Sequence, residues 1–140
     1  MKIINLIIQV IKRKESPLIL TILIAGISLI GWLIGKIIYA SFSIKYIPIA
    51  HSSAIIFIAI SLIFIAIIKF EKSQFAKRIA MPILLLIIIY CSLILLDFIF
   101  DFTWDLENIF INNPEKFGNV PIGRMSPISS LLIIFICLGI

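Results

Sequence analysis

Charged residues in this chain fall into clusters, and between them run stretches of Ile and Leu long enough to cross a hydrocarbon layer. In "MKIINLIIQVIKRK", Lys2, Asn5, Gln9 and Lys12 recur at helical spacing while apolar residues fill the rest of the wheel. That pattern predicts an amphipathic helix over residues 1–16, lying in the membrane interface. Pro17 suits the first turn of a new helix, and a span is expected over about 17–38. A short turn follows, then a second span over about 48–68, and together these make a first helical hairpin, 17–68. Residues 69–78, "KFEKSQFAKR", read as a basic loop. A second hairpin, 79–140, is expected to contain a span over about 79–100, a loop over 101–126 and a last apolar segment over 127–140. The fold class is therefore an all-α membrane protein of about four transmembrane helices, arranged as two tandem outward hairpins behind an interfacial helix.

Composition agrees with the pattern. Of 140 residues, 62% are hydrophobic and 14% charged, with a mean hydropathy of +1.25, which is too little polar surface to clothe a core in water. The net charge of +5 then acts as an orientation signal and not as a nucleic-acid footprint. Lys2, Lys12, Arg13, Lys14, Lys69, Lys72, Lys77 and Arg78 fall on one side of the expected topology, and Lys36, Lys45, Lys116 and Arg124 on the other. The positive-inside rule places the N-terminus in the cytoplasm of a multi-pass protein of the plasma membrane. No cleavable signal is evident, so the first span is expected to remain as an anchor. Cys91 and Cys137 lie within apolar runs, without CxxC spacing or a neighbouring histidine, and read as packing residues. No metal or other cofactor is expected.

Gly31 and Gly35 have the spacing at which a neighbouring helix can approach closely, with Ser28 one turn earlier. Packing within the chain is the first reading and a homodimer the second. Trp32, Tyr39, Phe42 and Tyr46 gather at the outer end of the first span, as interfacial aromatic belts do.

A weak internal repeat ties the halves together. "IAHSSAIIFIAISL" (49–62) aligns without gaps on "MSPISSLLIIFICL" (125–138) at an offset of 76, matching Ser53 to Ser129 and Ala54 to Ser130. Both copies stand where a loop re-enters the bilayer, and each reads as a helix start whose Ser, Pro and small residues deal with the first N–H groups.

"VPIGRMSPISSLLIIFICLGI" and the earlier "YIPIAHSSAIIFIAISLIFIAI" resemble the repeated re-entry motif in the N-terminal membrane region of bacterial and archaeal sensor histidine kinases and diguanylate cyclases. "DLENIFINNPEKFGNVPIG" likewise resembles the acidic loop that precedes the motif. His51 stands where the motif commonly has proline, and Ile122 replaces the residue usually found before Gly123. The resemblance implies a sensory input module feeding a cytoplasmic PAS, kinase or cyclase portion. Helix rise gives the final segment about 20 Å against about 30 Å of hydrocarbon, so a fragmentary chain lacking its output domain is expected.

Candidate chemistry gathers on the outer side. Asp97, Asp101 and Asp105 succeed one another at four-residue steps and form an acidic stripe if the third helix continues outward. They are either solvated or paired interfacial acids, or with Arg124 a polar-ligand or cation site open to the exterior. His51, the sole histidine, is either helix-start polarity or a pH-responsive, ligand-contacting group. Trp104, with nearby phenylalanines, lines a small pocket or belongs to the interfacial belt. No nucleophile is set beside a base, and there is no P-loop, dinucleotide turn or HExxH, so the chain itself is not expected to be an enzyme. Its expected partners are the lipid bilayer, a small molecule at the external face and a second copy of itself. The rival readings are a small structural or assembly membrane subunit and a fragment of a transporter.

Overall fold

The computed structural model describes residues 15–41, 48–70, 73–100, 116–117, 120–121 and 123–140. Its elements are α1 (Ser16–Ile34), α2 (Ile37–Ser41), α3 (His51–Lys69), α4 (Gln74–Phe100), a two-residue antiparallel pairing of β1 (Lys116–Phe117) with β2 (Val120–Pro121), and α5 (Pro127–Leu138). The fold is helical, and α1, α3 and α4 are each long and apolar enough to cross a membrane. α5 is apolar but shorter. The expected interfacial helix over 1–16 lies almost wholly outside the described residues.

Burial supports a bilayer as solvent. α1 leaves Leu20, Leu23, Ile30 and Leu33 largely exposed, and α5 does the same with Ile128, Leu132 and Phe135. Continuous apolar faces of this kind suit lipid and not water. The 19 residues of α1 and of α3 each rise about 28 Å, close to the thickness of a hydrocarbon core.

α1 starts as its proline predicts, with Glu15 at the cap position and Pro17 in the first turn. It ends earlier than the expected 38. Gly35 adopts φ 71°, its N–H reaches the Trp32 carbonyl (3.2 Å), and the Lys36 N–H reaches the Gly31 carbonyl (2.9 Å). This left-handed termination closes the helix at Ile34. The chain then turns through α2, which lies back over Gly31: a Cβ there would stand 2.8 Å from the Tyr39 Cβ and 2.9 Å from the Ala40 nitrogen. Gly31 is thus a packing residue toward its own chain. Gly35 is not, since a Cβ there would meet nothing within 4 Å, and its place in the sequence answers to backbone handedness.

Within the basic segment 69–78, Lys69 and residues 74–78 are helical. α3 includes Lys69 and α4 begins at Gln74, so exposed Lys77 and Arg78 stand on the first turns of α4. Pro82 therefore lies inside a helix instead of near its start. It deprives the Arg78 carbonyl of a helical partner, at the polar end of α4 where headgroups and water can replace it.

α1 packs chiefly on α3, and α4 on α5. On α1 the buried stripe is Ala25, Ser28, Gly31 and Trp32, small residues that allow close approach. On α4 it is Ala80, Leu84, Ile87, Cys91 and Ile94, whose alternating four- and three-residue steps form a coiled-coil seam. Ser130, Ile133 and Cys137 continue that register on α5. Cys91 and Cys137 are free thiols buried in this packing.

Candidate functional site at the helix mouths

α3 and α5 begin at equivalent points of the repeat. The cap residues are Ala50 and Ser126, aligned at the offset of 76, and both are extended (φ −57°, ψ 139° and φ −72°, ψ 147°). The Ala54 N–H bonds to the Ala50 carbonyl and the Ser130 N–H to the Ser126 carbonyl, each at 3.0 Å. Ala54 and Ser130, the matched pair, are both fully buried.

The α5 mouth is closed by its own side chains. The Ser129 N–H donates to Ser126 Oγ at 3.1 Å, the two hydroxyls lie 2.8 Å apart, and Pro127 has no N–H to satisfy. The α3 mouth has no side-chain cap and is held by its surroundings. The Ile49 N–H donates to the Ala40 carbonyl at 3.0 Å, and the Trp32 indole Nε1–H donates to the Ile49 carbonyl at 2.8 Å. His51, the first helical residue, stacks edge-on against Trp32 with ring centroids 5.8 Å apart and planes at 73°. Such edge-to-face pairs are favourable for aromatic rings.

Gly123 joins the two mouths. Its φ is 95°, and a Cβ placed on it would lie 3.1 Å from Trp32 Cη2 and 3.7 Å from His51 Nδ1. The backbone leading into α5 therefore roofs the Trp32–His51 pair, and only glycine satisfies both the handedness and the space. Met125, two residues on, is buried as well.

Trp32 was expected in an interfacial belt and is instead 5% exposed. Its N–H is taken by a backbone carbonyl and its ring is covered by Gly123, so neither end faces headgroups. His51 is 2% exposed, packed within the mouth and shut off from solvent in this arrangement. Asp97 is half-buried near the end of α4, while Arg124 is exposed beside Gly123. Asp101, Asp105 and Trp104 lie outside the described residues, so the acidic stripe beyond Asp97 does too. Among the described residues no three His, Cys, Asp or Glu side chains are grouped to hold a metal ion. Sequence reasoning singled out His51 and Arg124 but missed that Trp32, Ile49 and Gly123 belong together. The available signal was the glycine placed just before the second copy of the repeat.

No family model, curated protein or solved structure matches this chain.

Proposed function

We propose that the chain is the membrane-embedded sensory input module of a signal-transduction receptor of the histidine-kinase or diguanylate-cyclase type. It would lie in the plasma membrane with its N-terminal side cytoplasmic, α5 belonging to a fourth span, and both helix mouths facing outward. The observation that carries this reading is the seating of Gly123 on Trp32 and His51. Besides the apolar packing that the two helix pairs share, one pair is latched to the other at this spot by backbone contact. A stimulus that favours a lifted latch over a seated one shifts the packing of the two pairs, which is the kind of two-state element a receptor needs. Asp97, near the end of α4, and Arg124, next to Gly123, are the candidate groups for a polar ligand, with Asp101, Trp104 and Asp105 between them in the sequence. The motif resemblance supports the same reading.

The test is to express the whole reading frame that carries this chain and to measure phosphotransfer or cyclic-dinucleotide output. Gly123→Leu, which cannot seat, is expected to change output severalfold at an unchanged level in the membrane. Output indistinguishable from that of the parent, or no such output from the frame, overturns the proposal.

A further inference from the structure

α4 opens with the wrong sign of charge for a helix start. A helix N-terminus carries partial positive charge and favours acidic residues. The first turn of α4 has none, and Lys77 and Arg78 stand in its first turns instead. The turn before it is tight, with the Ser73 N–H donating to the Phe70 carbonyl at 2.8 Å, so Lys69, the last residue of α3, comes to the same end of the molecule. Lys69, Lys77 and Arg78 are all exposed. Among the described residues none of these three side chains is held in a hydrogen bond or an ion pair. The sequence between them adds Lys72 and a single acid, Glu71, so the segment keeps its positive excess.

The cations run on into an apolar strip. Gln74, Lys77, Arg78, Met81 and Leu85 recur at three- and four-residue steps and so share one side of α4, and all five are exposed. Met81 is 71% and Leu85 58% exposed, whereas Ala80, Leu84 and Ile87, on the side turned to the other helices, are buried. From Lys77 to Leu85 the helix rises about 12 Å. A ligand that uses the whole face has an acidic head and an apolar tail. A free phosphate ion would meet the cations and make no use of the strip below them. When Met81 and Leu85 lie among acyl chains, the long stems of Lys77 and Arg78 carry their charges to the level of the lipid phosphates. Basic residues at that depth attract anionic headgroups, and the planar guanidinium of Arg78 matches a phosphate in shape.

We propose that the N-terminal turns of α4 bind an anionic phospholipid, with its phosphate at Lys77 and Arg78 and one acyl chain along Met81 and Leu85. Lys69, at the end of α3, adds to the positive field. The negative headgroup offsets the two cations that α4 carries at its own positive end. A zwitterionic lipid offers the same tail but also an ammonium group, which the cations repel, so the selectivity lies in the head. The site requires only that the helices lie in a bilayer and is independent of any signalling output.

The experiment uses the full chain in nanodiscs of phosphatidylcholine doped with either phosphatidylglycerol or phosphatidylcholine that carries a diazirine near the start of one acyl chain. After photolysis, the labelled peptides are mapped by mass spectrometry. The ratio of phosphatidylglycerol label to phosphatidylcholine label on residues 81–86 is expected to exceed the ratio around the exposed Leu132 of α5 by about fivefold, the scale of one cation at an anionic surface. Lys77→Gln combined with Arg78→Gln is expected to bring the two ratios together at unchanged helicity, since Gln is a good helix former. Lys77→Arg combined with Arg78→Lys keeps both charges and is expected to keep the excess. Equal ratios in the parent, an excess that survives the two Gln substitutions, or one that is lost in the charge-preserving exchange overturns the site. Loss of the excess on adding inorganic phosphate at constant ionic strength overturns the assignment to a lipid in favour of a free phosphate ion.

Discussion

The mouths of α3 and α5 share their register, the conformation of their cap residues and a fully buried residue at the matched position, and they differ in what seals them. At α5 the seal is local, since Ser126 is exposed and bonds the Ser129 N–H itself. At α3 it is tertiary: the methyl group of Ala50 cannot accept a hydrogen bond, and Trp32, Ala40 and Gly123 close around Ile49 and His51 instead. Helix N-termini have N–H groups without partners whatever the sequence. The comparison shows two remedies for the same deficit within one repeat. The exposed mouth carries its own cap, and the buried mouth relies on a neighbour from the rest of the chain. The buried one is therefore the mouth whose closure depends on how the helices are packed.

Substitutions can break this contrast. Trp32→Ala should be the most damaging, at about 3 kcal/mol, because it removes a large buried ring together with the donor to Ile49; denaturation of the reconstituted protein, followed by circular dichroism, measures it. A loss no greater than that of an exposed Leu33→Ala control would show that the α3 mouth is not held by Trp32. Next comes Gly123→Ala, where left-handed backbone strain alone costs about 1–2 kcal/mol and the new methyl crowds Trp32. Gly26→Ala, in a helix and with nothing within 4 Å of the added methyl, is expected to be neutral or stabilising in the same assay. Ser126→Ala should cost about 1 kcal/mol by removing the cap, whereas Ala50→Ser should change stability by less than half of that, since its mouth is already closed. Equal and opposite effects at the two caps would erase the distinction. The smallest effect is expected at Ser28, fully buried in α1, for whose hydroxyl no hydrogen bond is found among the described residues. Ser28→Ala should leave stability unchanged or raise it by up to about 1 kcal/mol.

Features governed by near neighbours in the chain were legible beforehand. Pro17 marked the start of α1, and Ser126–Pro127 marked the start of α5, because a cap and a missing N–H act within one turn. The end of α1 was misplaced because Gly31 and Gly35 look alike in sequence. Only the fold distinguishes a glycine that admits α2 from one that turns left-handed. α4 begins earlier than expected since Gln74, Lys77 and Arg78 are good helix formers, and their long stems can run along an apolar helix while the charges reach the surface. The burial of Trp32 was invisible because its two determinants, the Ile49 carbonyl and the Gly123 backbone, come from segments 17 and 91 positions farther along. Of the expected acidic stripe and its partner Arg124, only Asp97 and Arg124 fall within the described residues.

The roof over Trp32 is main chain, and this has a consequence for how the protein can vary. A latch whose tongue is a bare peptide asks for one glycine at position 123, because any side chain there would take the space that the indole ring fills. Every substitution at this position is then a change to the join itself, whereas a neighbour such as Arg124, whose side chain is exposed, can vary without entering the space above the ring.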